Sequence, residues 1–176
     1  MAEEKKDQWL NYLALTTVIL AVCATLSTFK GGGFSTRSVM SQSQASDQWA
    51  YYQAKGIKSY LYEMQKEKME LELVNLSSNS SATAAYKEKI ASYKKKVEDY
   101  EKQKSEIEDK AKELEKMRDE AQLHSRAFGM AVIFLQIAIV LSSIAGLLKK
   151  KEIWYLGLLT GLVGIVYFAD GFLVFI

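Results

Sequence analysis

Three long apolar runs constrain this chain more than any other feature of its sequence. Residues 9–29 ("WLNYLALTTVILAVCATLSTF") and 127–148 ("AFGMAVIFLQIAIVLSSIAGLL") contain no charged residue, and residues 153–176 contain one, Asp170. As a helix, the first run would be about 31 Å long at about 1.5 Å per residue, which matches a hydrocarbon core of about 30 Å. The sequence therefore predicts three transmembrane helices.

The first run has an alternative interpretation as a secretory signal. Lys5 and Lys6 precede it and small residues follow within it, as in a cleaved leader. The letters "LAVC", which end at Cys23, weakly resemble a lipoprotein cleavage site, but Val22 stands where a small residue is expected. The length of the run favours an uncleaved anchor.

Basic residues in short segments predict the orientation of the chain in the membrane. Residues 149–152 ("KKKE") join the second and third runs, and lysine-rich short loops are typically cytoplasmic. Residues 1–8, which include Lys5 and Lys6, then form a cytoplasmic N-terminus. The segment 30–126 and the C-terminus are expected outside the cytoplasm. That segment also carries basic residues near the membrane, but long segments translocate largely regardless of charge.

The overall composition excludes several classes of protein. The chain has no proline, so long uninterrupted helices are allowed. A net charge of +2 argues against nucleic-acid binding, which usually requires a strongly basic face. The single cysteine, Cys23, excludes an internal disulfide framework.

The segment between the first two runs has two parts. Residues 30–44 contain three consecutive glycines followed by a Ser/Gln-rich stretch, which predicts the end of the first helix and a linker. Residues 45–126 have helical patterns on both sides of a polar stretch near 75–82 ("NLSSNSSA"), which predicts a loop.

Two seven-residue rows predict the helices of residues 45–126. The first row is Ala50, Ile57, Met64 and Leu71, with Tyr60 and Val74 three positions after members of it. The second row is Tyr86, Tyr93, Tyr100, Ile107, Leu114 and Ala121, and Lys104 and Arg118 interrupt its companion row of Ile90, Val97 and Ala111. Such spacing predicts a coiled coil. Because both ends must return to the membrane, we expect an antiparallel hairpin.

Residues 46–63 ("SDQWAYYQAKGIKSYLYE"), called the aromatic stretch below, contain five large rings. On a helix these rings and their apolar neighbours occupy several faces, which is more than one partner helix can cover. We therefore expect the surplus apolar surface to be buried against other copies of the chain or against the membrane-proximal surface. A ligand platform would need convergent polar groups, which are missing, and a membrane belt would lie closer to the first run.

A family resemblance rests on the letters "ASDQWAYYQAKGIKSYLYE", the charged segment after them, and "LQIAIVLSSIAGLLKKKEIWYLG". The chain resembles, from about residue 10 to 165, a family of small bacterial membrane proteins of unknown function. The resemblance is most specific at 46–55 and 149–151. It implies one span, an aromatic and charged coil, two further spans and a bacterial source, and we therefore expect the protein in the bacterial inner membrane. It implies no activity and no metal site, since the His-rich N-terminus common in the family is missing here.

The third run carries a row of glycines at positions Gly157, Gly161, Gly164 and Gly171. Small residues allow helix backbones to approach closely in lipid. The sequence leaves open whether the partner is the second run of the same chain or the third run of a neighbour.

Asp170 is the one ionisable residue within a run, and such residues are functional candidates by default. It lies about 26 Å along the helix from Ile153, close to the outer boundary of the membrane. The sequence favours an interfacial carboxylate paired with Arg126 or His124, with an ion or proton site as the alternative.

The sequence thus predicts an all-α membrane protein with three transmembrane helices and an extramembrane antiparallel coiled-coil hairpin. It contains no nucleophile–base pair, phosphate loop or metal-ligand spacing, which predicts a protein without catalytic, cofactor or metal sites. We expect a homo-oligomer with a structural role in the bacterial envelope. Besides the glycine row, the predicted packing residues are Trp49, Tyr52, Ile57, Tyr60, Met64, Tyr86, Tyr93, Tyr100, Ile107 and Leu114.

Two other functions stay open at this point. The chain could be a subunit of a pore or transport system with Asp170 near the pathway, or an accessory subunit that binds another envelope protein through residues 49–62.

Overall fold

The computed structural model describes residues 8–74 and 81–175, and almost all of them are helical. The helices are α1 (Gln8–Val74), α2 (Ser81–Leu148) and α3 (Lys151–Leu173), and no strand occurs among these residues. The all-helical prediction is confirmed. The predicted cytoplasmic N-terminus and the predicted polar loop fall mainly on residues 1–7 and 75–80, which lie outside the described residues.

Helix α1 continues without interruption through residues 30–44, where the sequence predicted a linker. No described glycine has a positive φ, and Gly31, Gly32 and Gly33 are all helical. Each glycine inside a helix costs about 1 kcal/mol relative to alanine, but a break would leave about eight backbone groups without intrahelical partners. The prediction that these glycines end the first helix is therefore wrong.

Helix α2 also passes from the charged segment into the second apolar run without a break. Its predicted seven-residue row includes Ile107 and Ala121, both buried, and continues through Phe128, Leu135 and Ser142, which are buried as well. One seven-residue spacing therefore organises the buried face of α2 in both of its parts.

All three helices contain a segment that is long and apolar enough to cross a membrane. The most apolar windows have mean hydropathies of 1.9 in α1, 2.5 in α2 and 1.8 in α3. The three predicted spans thus correspond to segments of three separate helices.

The chain divides into two compact units, and the first contains the described residues up to Met40 and those from Met117 onward. Its core consists of apolar residues from α1 and α2, with two aromatic side chains of α3 packed against them: Leu20, Ala24, Ala131, Leu135 and Ala138, then Tyr167 and Phe168. A second cluster joins Leu13, Ala145 and Trp154, one from each helix. The three apolar segments therefore pack on one another as a bundle.

The glycine row of α3 faces this bundle. Gly157, Gly161 and Gly164 are buried. A Cβ added at Gly161 would lie 3.0 Å from Leu20 Cδ2 of α1, and one at Gly164 would lie 2.8 Å from Leu135 Cγ and 3.0 Å from the Leu135 backbone nitrogen of α2. The close contact of this row is therefore made with α1 and α2 of the same chain.

The connection between α2 and α3 is shorter than the predicted loop at 149–152. Lys149 has a left-handed backbone with φ of 53°, and the Lys150 N–H donates to the Ala145 carbonyl at 3.2 Å. This is the usual way in which a helix satisfies its last carbonyls. Lys151 and Glu152 already belong to the first turn of α3.

The second unit, Ser41–Lys116, contains the remaining parts of α1 and α2. Trp49 Nε1 donates a hydrogen bond to Glu115 at 2.9 Å. At the other end of the unit, Tyr86 Oη donates to Glu72 at 3.1 Å. Since residue numbers rise along one helix as they fall along the other, α1 and α2 run antiparallel in this unit.

The face of α1 that contacts α2, called its inner face, carries small residues at its most buried positions. Those positions in the second unit are Ser41, Ala45, Gly56 and Ser59. Helix α2 contributes larger side chains, such as Tyr100, Ile107 and Leu114. The large side chains of α1 lie either beside these positions, as Trp49 and Tyr62 do, or away from α2.

Gly164→Ala is expected to destabilise the chain, because the added methyl group would lie 2.8 Å from Leu135 Cγ. Overpacking of this kind costs about 1–3 kcal/mol, or about 2–4 °C of melting temperature per kcal/mol for a protein of this size. The measurement is thermal unfolding in detergent followed by tryptophan fluorescence.

The control for this prediction is Gly129→Ala in α2, where an added Cβ meets no atom within 4 Å. This variant should melt at or above the temperature of the wild type. Wild-type melting of Gly164→Ala would contradict the packing described for α3.

Candidate functional site

The rings of the aromatic stretch lie on two different faces of α1. Trp49, Tyr52 and Tyr62 are half-buried on the side of α2, whereas Tyr51 and Tyr60 are exposed. The stretch is therefore not a single platform, because part of it completes the contact with α2 and part faces away.

Tyr62 is the centre of a cluster of aromatic and basic side chains. Its ring lies 5.6 Å from that of Tyr93 and 5.8 Å from that of Tyr100, both on α2. Lys96 Nζ lies 4.6 Å from the centre of the Tyr62 ring and donates to its hydroxyl at 3.2 Å. Lys55 Nζ lies 5.4 Å from the Tyr100 ring. Each cation–π contact of this kind contributes about 0.5–1 kcal/mol at an exposed site.

A polar network crosses the contact between the two helices. Ser59 Oγ donates to Glu101 Oε1 at 2.8 Å, and Lys104 Nζ donates to Glu101 Oε2 at 2.9 Å. The Lys104 side chain is only 13% exposed, and its Cε would lie 3.8 Å from a Cβ at Gly56. A Cβ at position 56 would therefore make an ordinary contact with the lysine stem. The Lys104 ammonium lies 5.2 Å from the Tyr52 ring centre.

The charges in this network stabilise each other. The hydrogen bond from Lys104, followed by that from Ser59, lowers the pKa of Glu101 below its ordinary value of 4.5. The same bond to Glu101 raises the pKa of Lys104. Lys104 and Glu101 belong to the same helix, so a shift of α1 along α2 would break the hydrogen bond from Ser59 and leave the ion pair intact. The Ser59 bond therefore favours the observed alignment of the two helices.

The predicted row of Ala50, Ile57, Met64 and Leu71, with Tyr60 and Val74, faces away from α2 and is called the outer row below. Ile57 is 62% exposed, Tyr60 64% and Met64 66%. In α2, by contrast, no large apolar side chain is exposed between residues 82 and 116. The predicted packing residues therefore fall into two groups. Ile57, Tyr60 and Met64 of α1 are exposed. Those of α2 are buried or half-buried: Tyr86, Tyr93, Tyr100, Ile107 and Leu114.

In the first unit, Phe128 of α2 is fully buried between two glycines. A Cβ at Gly31 of α1 would lie 2.9 Å from Phe128 Cβ, and one at Gly171 of α3 would lie 2.6 Å from its ring. Phe34 stacks on one side at 6.0 Å and Phe172 makes an edge contact at 5.0 Å. One ring therefore joins all three helices of this unit.

Asp170 directly precedes Gly171 in the last turn of α3 and is only 6% exposed. Its Oδ1 accepts the Phe175 N–H at 2.7 Å, beyond the last turn of the helix. His124 Nδ1 lies 2.9 Å from the Gly171 carbonyl oxygen, and Arg126 is exposed. The Asp170 carboxylate therefore caps the C-terminal end of α3 by accepting a backbone hydrogen bond. It is buried within the first unit and does not lie at an exposed surface.

Within residues 8–74 and 81–175, no three His, Cys, Asp or Glu side chains are grouped so that they could hold a metal ion. The polar groups described above bind one another, and their contacts are those of helix packing.

These features define a class: an all-helical chain with three helices long and apolar enough to cross a membrane, consistent with a multi-pass membrane protein. The chain belongs to the DUF4337 family, a domain of unknown function, whose model matches residues 9–174. No curated protein and no solved structure shows a significant match. The expected resemblance to a family of unknown function is confirmed, whereas its motif and its bacterial membrane character stay predictions.

Sequence reasoning missed several of the residues that organise these contacts. Ser59 and Glu101 have no distinctive spacing of their own. The available signals were Lys104, which interrupts an apolar row, and Gly56, which stands on the facing helix. Phe128 could have been found by extending the row of α2 by seven residues from Ala121.

Glu101→Gln is expected to make the chain less sensitive to acid. The pKa of Glu101 in the folded chain lies below its ordinary value of 4.5. The ionised side chain therefore stabilises the fold above pH 4.5, and this stabilisation is lost as the pH falls through the pKa of the folded chain. The Glu101 side chain is 52% exposed, so screening limits the effect to less than about 1 kcal/mol. The measurement compares thermal unfolding at about pH 6 and about pH 3, where exposed carboxylates are largely protonated.

The control is Glu106→Gln, which removes the same charge from an exposed position of α2. The wild type and this control should lose the same stability between the two pH values, and Glu101→Gln should lose less. Equal losses in all three proteins would contradict a role for the network.

Proposed function

We propose that this chain is a non-enzymatic, homo-oligomeric membrane protein with a structural role in the bacterial envelope. In this proposal the three apolar segments anchor the chain in the inner membrane, and an antiparallel coiled-coil hairpin projects outside the cytoplasm. The observation that carries the proposal is the exposed outer row of α1.

The outer row is unusual for a helix that faces water. Single exposed apolar residues are normal, but a contiguous exposed patch marks a contact surface. Ile57, Met64 and Leu71 are 62%, 66% and 70% exposed and lie seven residues apart. Burial of each such side chain stabilises a contact by about 1.5–3 kcal/mol. The row is therefore better explained by an oligomer than by an isolated hairpin.

The first unit supports the anchoring role. Its glycine row and Phe128 are engaged in packing, and Asp170 closes the end of α3. A transport pathway through the chain would be expected to be lined by these residues. Their use in packing favours a structural anchor over a pore subunit.

Met64→Glu is expected to reduce or abolish self-association, because it places a charge in the outer row. The measurement is the mass of the full chain in nanodiscs by native mass spectrometry. The wild type should give multiples of one chain, and Met64→Glu should shift the distribution towards a single chain by at least several-fold.

The matched control is Gln65→Glu, which adds the same charge one residue further along on another exposed face. This variant should keep the mass of the wild type. A wild-type mass equal to one chain would overturn the proposal, whether or not another envelope protein binds the outer row.

The orientation can be tested separately with reporter fusions in a bacterial host. A phosphatase that is active only outside the cytoplasm should be active when inserted after Asn79 and inactive when inserted after Lys150, because the lysines at 149–151 favour the cytoplasm. The opposite pattern would reverse the proposed topology.

A further inference from the structure

We infer that the outer row of α1 binds the outer row of a second copy of this chain, with the two α1 helices parallel and in register. This inference rests on the proposed oligomer and names the surface and the geometry through which it forms.

The asymmetry between the two helices of the second unit identifies the surface. Helix α1 exposes Ile57, Tyr60, Met64 and Leu71 there, whereas α2 exposes no large apolar side chain between residues 82 and 116. The outward side of α2 is instead rich in lysine and glutamate. Within this unit, a second copy would therefore bury large apolar side chains by meeting α1 and not by meeting α2.

The outer row lies opposite the inner face of α1. Ile57 precedes the buried Ser59 by two residues, which is about 200° around a helix at about 100° per residue. Helix α1 can therefore contact α2 of its own chain and α1 of another chain at the same time. The seven-residue spacing of Ala50, Ile57 and Met64 matches the repeat that keeps two supercoiled helices in contact.

The membrane anchor determines the direction of the second helix. All copies insert with the same orientation, so the α1 helices of neighbouring copies run parallel. Around a twofold axis along these helices, each residue of the row faces its own counterpart. Ile57 then packs on Ile57, and Met64 on Met64, of the second copy.

Charges on the two sides of the row favour this register. Glu63 and Lys68 flank the row on opposite sides, five residues apart, which is the spacing that joins flanking positions across a parallel pair. Glu63 would therefore meet Lys68 of the second copy. A shift by one seven-residue repeat would place Glu63 beside Leu61 instead. Among the described residues of its own chain, Lys68 makes a long and exposed contact of 3.9 Å with Glu72.

One residue opposes the pairing. Glu67 lies seven residues after Tyr60 and three after Met64, within the outer row. In a parallel pair it would face an identical charge, which weakens the contact. The association is therefore limited by Glu67, and Glu67→Leu should strengthen it several-fold.

The test is disulfide cross-linking in native membranes, with Cys23→Ala as the background because Cys23 is the only cysteine. Single cysteines are introduced as Ile57→Cys and Met64→Cys in the row, and as Lys58→Cys and Gln65→Cys beside it. The row positions should give at least several-fold more cross-linked dimer than their neighbours.

Equal cross-linking at all four positions would overturn the inference. So would dimers that form only when Ile57→Cys is co-expressed with Met64→Cys, because they would show a shifted register. Multimeric mass without cross-linking at the row would overturn this surface and leave the proposed oligomer standing. A mass of one chain would overturn both.

A charge-reversal series tests the register independently. In the Met64→Cys background, Glu63→Lys and Lys68→Glu should each reduce cross-linking several-fold, and the two together should restore at least half of it. The register is contradicted if the combined variant cross-links no better than either single variant while all remain equally helical by circular dichroism.

Discussion

The small inner face of α1 is the constraint on which the second unit depends. Because Ser41, Ala45, Gly56 and Ser59 occupy its buried positions, the contact with α2 is built mainly from the larger side chains of α2. Other large apolar residues of α1, among them Ile57, Met64 and Leu71, lie on the opposite side of the helix. In the proposed oligomer, another copy of the chain would cover this second face.

The sequence was sufficient to predict the helical class, the three apolar segments and the buried row of α2, because these depend on long runs and regular spacing. Prediction from the sequence was wrong where a local pattern was outweighed by a contact with a residue far away in the sequence. Three consecutive glycines usually end a helix, yet Gly31 lies against Phe128, a residue remote in sequence. The row of Ile57 and Met64 was recognised, but its direction was not, since spacing alone does not say which apolar face meets which partner. The network around Lys104 depends on side chains from both helices and could not be read from either one.

The first unit shows how a bundle can be held together with few polar contacts. Helix α3 approaches its neighbours through glycines, so its backbone replaces the side chains that would otherwise separate the helices. Phe128 then fills the space where all three helices meet. Many outward residues of this unit are large and apolar, among them Val18, Ile133 and Leu159, which fits the proposed anchoring role. This matches the proposed division of labour, in which one unit holds the chain in the membrane and the other makes contacts with further copies.

The hydrogen bond at His124 has a chemical consequence for the end of α3. A carbonyl oxygen can only accept, so the Nδ1 that lies 2.9 Å from the Gly171 oxygen must carry the hydrogen. In the neutral ring, Nε2 therefore keeps its lone pair. The nitrogen chemical shifts of this single histidine would thus report on the terminus of α3 without any added label on that helix.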